Sequence, residues 1–301
     1  MLVILLTIPA LAQDEEQTEE EPKKKKERPA RRAFESAWWF DGQTGTVYDK
    51  GTLEMIINHR FGTINPGNYD LFGIYGPSNI RLGFAYAPID RLNIGFGYTK
   101  NGKILDLYGK YMILQQTRSN SMPLSLTYHG IWGIGMNAAS TYQQKRPDNA
   151  YVITDHFSYF NQLIIMRRFG NKFSAQIAPS YSHQNVVYGE WEINGADSTA
   201  RYMENGTWGL SIGARYKVSA TTVVMVGYDV PLTKHEIKQP KPNISLGVEL
   251  NTSAHAFQIF IQNYSGIVPQ QNFTFNQNDF ANPGNRGAWL IGFNMTRLWS
   301  F

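Results

Sequence analysis

The chain has 301 residues, of which 42% are hydrophobic and 14% aromatic, with a formal net charge of +4 and no cysteine. That is length for one large domain, and the absence of cysteine removes a disulfide framework, a cysteine-ligated metal centre, a thiol nucleophile and a lipoprotein anchor. Mean hydropathy is −0.35 and no run approaches the roughly 18 to 20 consecutive apolar residues of a membrane helix, so a helical membrane protein is excluded.

Residues 1–13, MLVILLTIPALAQ, carry a short apolar run followed by Ala10-Leu11-Ala12. The small-x-small pattern predicts a signal peptide over 1–12 cleaved before Gln13, an N-terminal buried strand being the alternative. The next tract, DEEQTEEEPKKKKERPARR (14–32), holds seven acidic and seven basic residues, two prolines and no aromatic. It cannot bury enough surface to order itself, so 13–33 is expected to be a disordered periplasmic tether. Lys23 to Lys26 form a basic block, but the adjoining acidic block cancels it over about a Debye length, and no nucleic-acid partner is expected. Residues 34–52, which include WWFDGQTGTVYDKG (38–51), are a periplasmic lead-in or a plug.

From Leu53 onward apolar residues recur with a period of two between turn signals. Strands are predicted near 53–62, 78–87, 91–99, 103–115, 122–136, 155–168, 172–184, 205–217, 220–230, 241–250, 255–264 and 287–301. Several divide their faces alike. Ile80, Leu82, Phe84 and Tyr86 oppose Arg81, Gly83 and Ala85; Leu92, Ile94, Phe96 and Tyr98 oppose Asn93, Gly95, Gly97 and Thr99. The second face holds glycines, small hydroxyls and occasional charges rather than the Lys- and Glu-rich skin of soluble sheets. Only 17% of the residues are charged. Large faces therefore read as a lipid-facing band and small ones as the lining of a closed barrel.

Loop lengths agree. The predicted connections at 88–90, 116–121, 170–171, 218–220 and 251–254 are short, whereas 63–77, 137–154, 185–204, 231–240 and 265–286 are long, with the tight 100–103 turn as the exception. Outer-membrane barrels have short periplasmic turns and long outer loops, so an even strand count places both termini in the periplasm. The fold expected over 53–301 is an all-β, closed, antiparallel up-and-down transmembrane barrel of about 12 strands in the outer-membrane bilayer.

The last strand alternates outward aromatics and aliphatics, with Phe293, Met295, Trp299 and a terminal Phe301 on one face, interrupted by Arg297 near the end where its stem can snorkel. Phe293, Met295, Trp299 and Phe301 resemble the signal read by the barrel-assembly machinery of Gram-negative bacteria, and Trp289 and Trp299 would sit in the two aromatic girdles.

The segments INHRFG (57–62), NPGNYDLFGIYGPSNIRLGFAYAPIDRLNIGFGYTK (65–100), DLYGKYMILQQ (106–116), MPLSLTYHG (122–130), LSIGARYKV (210–218), NISLGVEL (243–250), HAFQIFIQN (255–263) and IGFNMTRLW (291–299) resemble a family of Bacteroidota outer-membrane β-barrels of unknown function. The resemblance spans nearly the whole barrel and implies architecture and location but no activity. The charged tether and residues 38–51 stand out as departures from the family pattern.

Catalytic chemistry finds little footing. An outer-membrane phospholipase would need a Ser/His/Asn set on the wall, but Asn58 points to the face opposite His59 and no serine adjoins. No His pair with a nearby carboxylate suggests a metal, and GFGYTKNGK (95–103) lacks the phosphate-loop order, so no metal or cofactor is expected. What remains is the lumen. Parity turns Glu54, Arg60, Arg81, Asp106, Lys110, Arg215 and Glu249 inward, to set the selectivity of a pore or to rigidify a filled barrel; about twelve strands is the size at which either occurs. FTFNQNDFANPGN (273–285) and GEWEING (189–195) offer aromatics that would stack on sugars or pack over the mouth. The expected function is passage or binding of a small polar solute without covalent chemistry. The alternatives are an accessory subunit docking a periplasmic protein through residues 14–52 and, more distantly, a lipase.

Overall fold

A computed structural model describes residues 27–194, 197–281 and 289–301. The expected signal peptide (1–12) and residues 13–26 of the expected tether lie outside the described residues. Twelve strands form one closed antiparallel barrel: β3 (Thr52–Thr63), β4 (Asn79–Ile89), β5 (Leu92–Thr99), β6 (Ile104–Leu114), β7 (Ser125–Gly135), β8 (Phe157–Phe169), β9 (Phe173–Gln184), β12 (Gly206–Lys217), β13 (Thr222–Pro231), β14 (Asn243–Asn251), β15 (His255–Gln262) and β16 (Leu290–Ser300). Each pairs with its sequence neighbours, and β16 pairs with β3 to close the ring. Two short hairpins are not part of the wall, β1 (Trp38–Trp39) with β2 (Gly42–Gln43) and β10 (Gly189–Asn194) with β11 (Asp197–Tyr202), and two short helices, α1 (Ala139–Gln143) and α2 (Pro269–Phe275), lie in the connections.

Every strand predicted from periodicity is present, with ends moved by a few residues. The reasons are local. Pro123 has no N–H to give a ladder and β7 begins at Ser125, just as Pro242 delays β14 to Asn243. The β10–β11 hairpin, six residues a side, stands inside a stretch expected to be one long loop.

Alternation sets the two faces. In β5, Ile94, Phe96 and Tyr98 are about half-exposed on the outside while Asn93 and Thr99 are buried inside. The same outward exposure runs through Leu82, Phe84 and Tyr86 of β4, Trp208, Ile212 and Tyr216 of β12, and Leu246, Val248 and Leu250 of β14. A continuous apolar belt of this kind exceeds what a water-soluble surface carries and fits hydrocarbon. At the closing seam, the rings of His59 on β3 and Phe293 on β16 stack outside at 5.0 Å, while inside Asn58 Nδ2 donates to Asn294 Oδ1 at 2.9 Å. The strand ends carrying the short connections also carry both ends of the barrel: the N–H of Phe301 donates to the carbonyl of Gly51.

Candidate functional site: the occupied lumen

Twelve strands enclose more space than inward side chains fill alone, and two segments occupy it. From the short-turn end comes a plug, Ala33 to Tyr48, in which nearly every residue is buried. The chain reaches it by crossing that end of the barrel: Ala30 N–H donates to the carbonyl of Gln116, and Arg118 N–H donates to that of Arg28. At the tip of the plug the β1–β2 hairpin turns through Phe40, whose φ is 54°. That left-handed conformation is disfavoured for a bulky side chain by about 1–3 kcal/mol and needs packing to hold it. Edge-on contacts with Trp39 at 5.2 Å and Phe260 at 5.1 Å supply that packing.

From the long-loop end comes α2 (Pro269–Phe275), which starts on proline, a residue suited to a first helical position. Gln270, Asn272, Phe273 and Thr274 are buried in the lumen. Its Gln270 carbonyl accepts from Ser182 Oγ at 3.1 Å and Gln184 Nε2 at 3.0 Å. The two intrusions meet at Asp41, whose carboxylate accepts from Tyr264 OH at 2.8 Å and Asn272 Nδ2 at 2.5 Å.

The inward charges lie between plug and wall. Arg81 donates to Asp106 through Nε at 2.8 Å and Nη2 at 2.6 Å, and its guanidinium lies over the Trp38 ring at 4.7 Å. Two-point pairing of this kind fixes orientation as well as charge. Room for it comes from Gly97, where a Cβ would strike the Arg81 guanidinium. Glu54 accepts from Trp38 Nε1 at 3.3 Å and Tyr48 OH at 3.0 Å. Lys110 Nζ donates to Gln43 Oε1 at 2.9 Å and the Thr44 carbonyl at 3.3 Å. Arg60 donates to Asn294 Oδ1 at 3.0 Å and faces the Phe260 ring at 4.6 Å. Arg215 meets Glu35 at 2.9 Å, and Glu249 accepts from Gln258 Nε2 and Asn251 Nδ2, both at 2.7 Å. Glu54, Lys110 and Arg215 thus bind the plug directly, Arg81 packs on it, and Arg60 and Glu249 act through Asn294 and Gln258. Those two amides reach plug carbonyls themselves: Asn294 Nδ2 to Phe40 at 2.7 Å and Gln258 Nε2 to Trp38 at 2.9 Å.

Sequence reasoning missed these neutral contributors, along with Thr127, which donates to the Gly45 carbonyl at 2.8 Å. It also missed Asp41 and Asp229. Asp229 is in phase with inward Val223 and Met225 on β13, and that phase was the available signal. Several inward polar atoms have no protein partner, among them Arg60 Nε and Nη2, both ring nitrogens of His129 and Asn93 Oδ1.

At the long-loop end, Asn79, Thr99, Tyr264, Asn272, Asn276 and Gln277 help line a polar cavity of about 280 Å³, and a second cavity of about 370 Å³ opens at the short-turn end. Between them, cavities where plug, α2 and wall meet measure about 20 and 10 Å³. Phe273, an expected sugar-stacking aromatic, is instead inside the barrel against Phe160 at 5.7 Å. Trp191 is exposed on the β10–β11 hairpin, its Nε1 donating to the Pro147 carbonyl. In the same outer loops Lys145 lies among Tyr142, Tyr188 and Phe275, and burial pushes its ammonium below the usual lysine range while Asp155 partly restores it. Phe293, Met295 and Trp299 are partly exposed on the outer face of β16, and Phe301 is exposed at its end. Among the described residues no three His, Asp or Glu side chains gather as a metal site.

A closed antiparallel barrel with an apolar outer belt and a polar interior defines a membrane-spanning β-barrel. The chain belongs to the family described as membrane bound beta barrel domain (DUF5777), whose model matches residues 34–299. The match begins at Phe34, so residues 38–51 lie within the family's domain and are not the departure from it that the sequence suggested. No curated protein matches the chain. Similar solved structures include the NanC porin (8% identity, 83% of this chain and 99% of that one, TM-score 0.46). Others are an outer membrane channel from Pseudomonas putida F1 (12%, 84% and 97%, 0.49) and LpxR from Salmonella typhimurium (10%, 81% and 99%, 0.37). At such identities and scores these are likenesses of barrel architecture.

Proposed function

We propose that the protein is an outer-membrane channel that binds and passes a small polar solute, with both termini in the periplasm and a lumen closed at rest by the plug and α2. The observation that carries this reading is the chemistry of the wall. Its inward face is amide, hydroxyl and charge, and where the plug is docked several of these groups have no protein partner. A permanently filled barrel would pack as well with apolar residues there, without the cost of desolvating amides and charges. A lumen that takes up water and solute when the plug withdraws satisfies them. The short-turn end then faces the periplasm, where the tether leaves it, and the apolar belt of the wall lies in the bilayer.

The accessory reading loses part of its surface in this arrangement, because Trp38, Trp39, Phe40 and Asp41 are inside the barrel and out of reach of a periplasmic partner. For a lipase, His59 is on the lipid face stacked on Phe293 while Asn58 points into the lumen. Proteoliposome swelling in small sugars and amino acids tests the channel reading. Faster swelling for the chain lacking residues 34–48 than for the full chain is expected; equal, background-level swelling from folded protein of both kinds refutes it.

A further inference from the structure

The cavity of about 370 Å³ at the short-turn end is strongly basic. Among the described residues Arg31, Arg32, Arg168, Arg215 and Lys217 line it against the single carboxylate of Glu35. Arg32 is drawn aside by Asp49 at 2.9 Å, and Arg168 spends its Nε on the Gly170 carbonyl. Arg215 is different. Its side chain is only 6% exposed, one nitrogen meets Glu35 at 2.9 Å, and its Nε and Nη1 have no protein partner. Glu249, the other carboxylate near Arg215, is taken by Gln258 and Asn251. Nε and Nη1 lie on different edges of the guanidinium, each beside the Nη2 that Glu35 holds, so a planar or tetrahedral oxyanion that displaces Glu35 accepts from Nη2 and an unspent neighbour at once.

We propose that this cavity binds a phosphate or carboxylate group of a small anion, seated on Arg215 and Lys217 in place of Glu35. Glu35 is well placed to be exchanged, since it is 38% exposed and its second contact, to Lys217 Nζ, is long at 3.4 Å. Because Glu35 is the plug residue at the mouth, an anion that takes its partners also removes a tie between plug and wall. This site stands apart from conduction: it predicts binding whether or not the lumen ever opens.

Titration of the full chain with inorganic pyrophosphate tests it, in nanodiscs of zwitterionic lipid, against sodium chloride of equal ionic strength. Saturable binding is expected, at least tenfold weaker in Arg215→Gln and Lys217→Gln and tighter in Glu35→Gln, which removes the internal competitor. Loss of that binding in nanodiscs containing phosphatidylglycerol would identify a lipid headgroup as the occupant; retention would identify a soluble anion. The proposal is overturned if pyrophosphate does no more than the matched salt in both kinds of nanodisc. It is equally overturned if both cation variants, shown to be folded by heat-modifiable mobility, bind as the parent does.

Discussion

Replacing Trp38 by alanine should release the plug without unfolding the barrel. Trp38 is 4% exposed, donates from Nε1 to Glu54, lies under the Arg81 guanidinium and meets the Tyr108 ring edge-on at 6.2 Å. Truncating a buried tryptophan costs about 3–5 kcal/mol. The barrel's ladders close on themselves and do not include the plug, so the loss falls on the docked plug. At about 1.4 kcal/mol for each factor of ten, the undocked fraction rises roughly a hundredfold to a few thousandfold. The chain has no cysteine, so a single Thr46→Cys reporter reads this directly. Thr46 is fully buried in the plug, and its hydroxyl donates only to the Phe34 carbonyl. A membrane-impermeant maleimide should label the reporter slowly in the parent and at least a hundredfold faster with Trp38→Ala. Equal labelling rates in the two, with heat-modifiable mobility intact, would refute the reasoning.

Three further outcomes are expected. Arg81→Gln should lower barrel stability by about 3–5 kcal/mol because it strands Asp106, whereas Arg81→Met with Asp106→Leu should recover most of the loss; urea unfolding in lipid vesicles measures both, and additive losses would contradict the pairing. Gly97→Ala should destabilise by about 1–3 kcal/mol, since its Cβ enters the space of the Arg81 guanidinium, and Gly109→Ala, whose Cβ meets nothing and needs no left-handed backbone, serves as the comparison. Glu35→Gln, which breaks a partly exposed ion pair, should change plug docking by less than about 1 kcal/mol and the Thr46→Cys labelling rate by less than about fivefold.

The wall of this protein is legible in its sequence because alternation is a local signal: the neighbours that decide whether Phe96 faces out and Gly97 in are adjacent in the chain. Where proline withholds a donor, as at Pro123 and Pro242, the strand starts two or three residues later than alternation alone predicts. What fills the wall is not legible in this way. Residues 34–52 have no sustained period, and the contacts that seat the plug join residues far apart, as Gln258 and Asn294 do in reaching Trp38 and Phe40. Period two puts Arg81 and Asp106 on one side of their strands, but only the registers of β4 on β5 and of β5 on β6, with Gly97 between, bring them together. Helix α2 was hidden for a different reason. Its seven residues are polar and aromatic, and it is held as a helix by burial in the lumen rather than by propensity. Neutral amides escaped notice because a search for chemistry weighs charges and histidines first.

Single-channel recording in a planar bilayer tests the central claim, that a polar conduit is closed by two intrusions meeting at Asp41. The forms to compare are the full chain, the chain lacking residues 34–48, and that form with residues 266–276 also replaced by a short Gly-Ser turn. The account predicts silence or brief flickers from the first, a small or intermittent conductance from the second, and a steady conductance from the third. A folded barrel lacking both intrusions that still passes no current would contradict it.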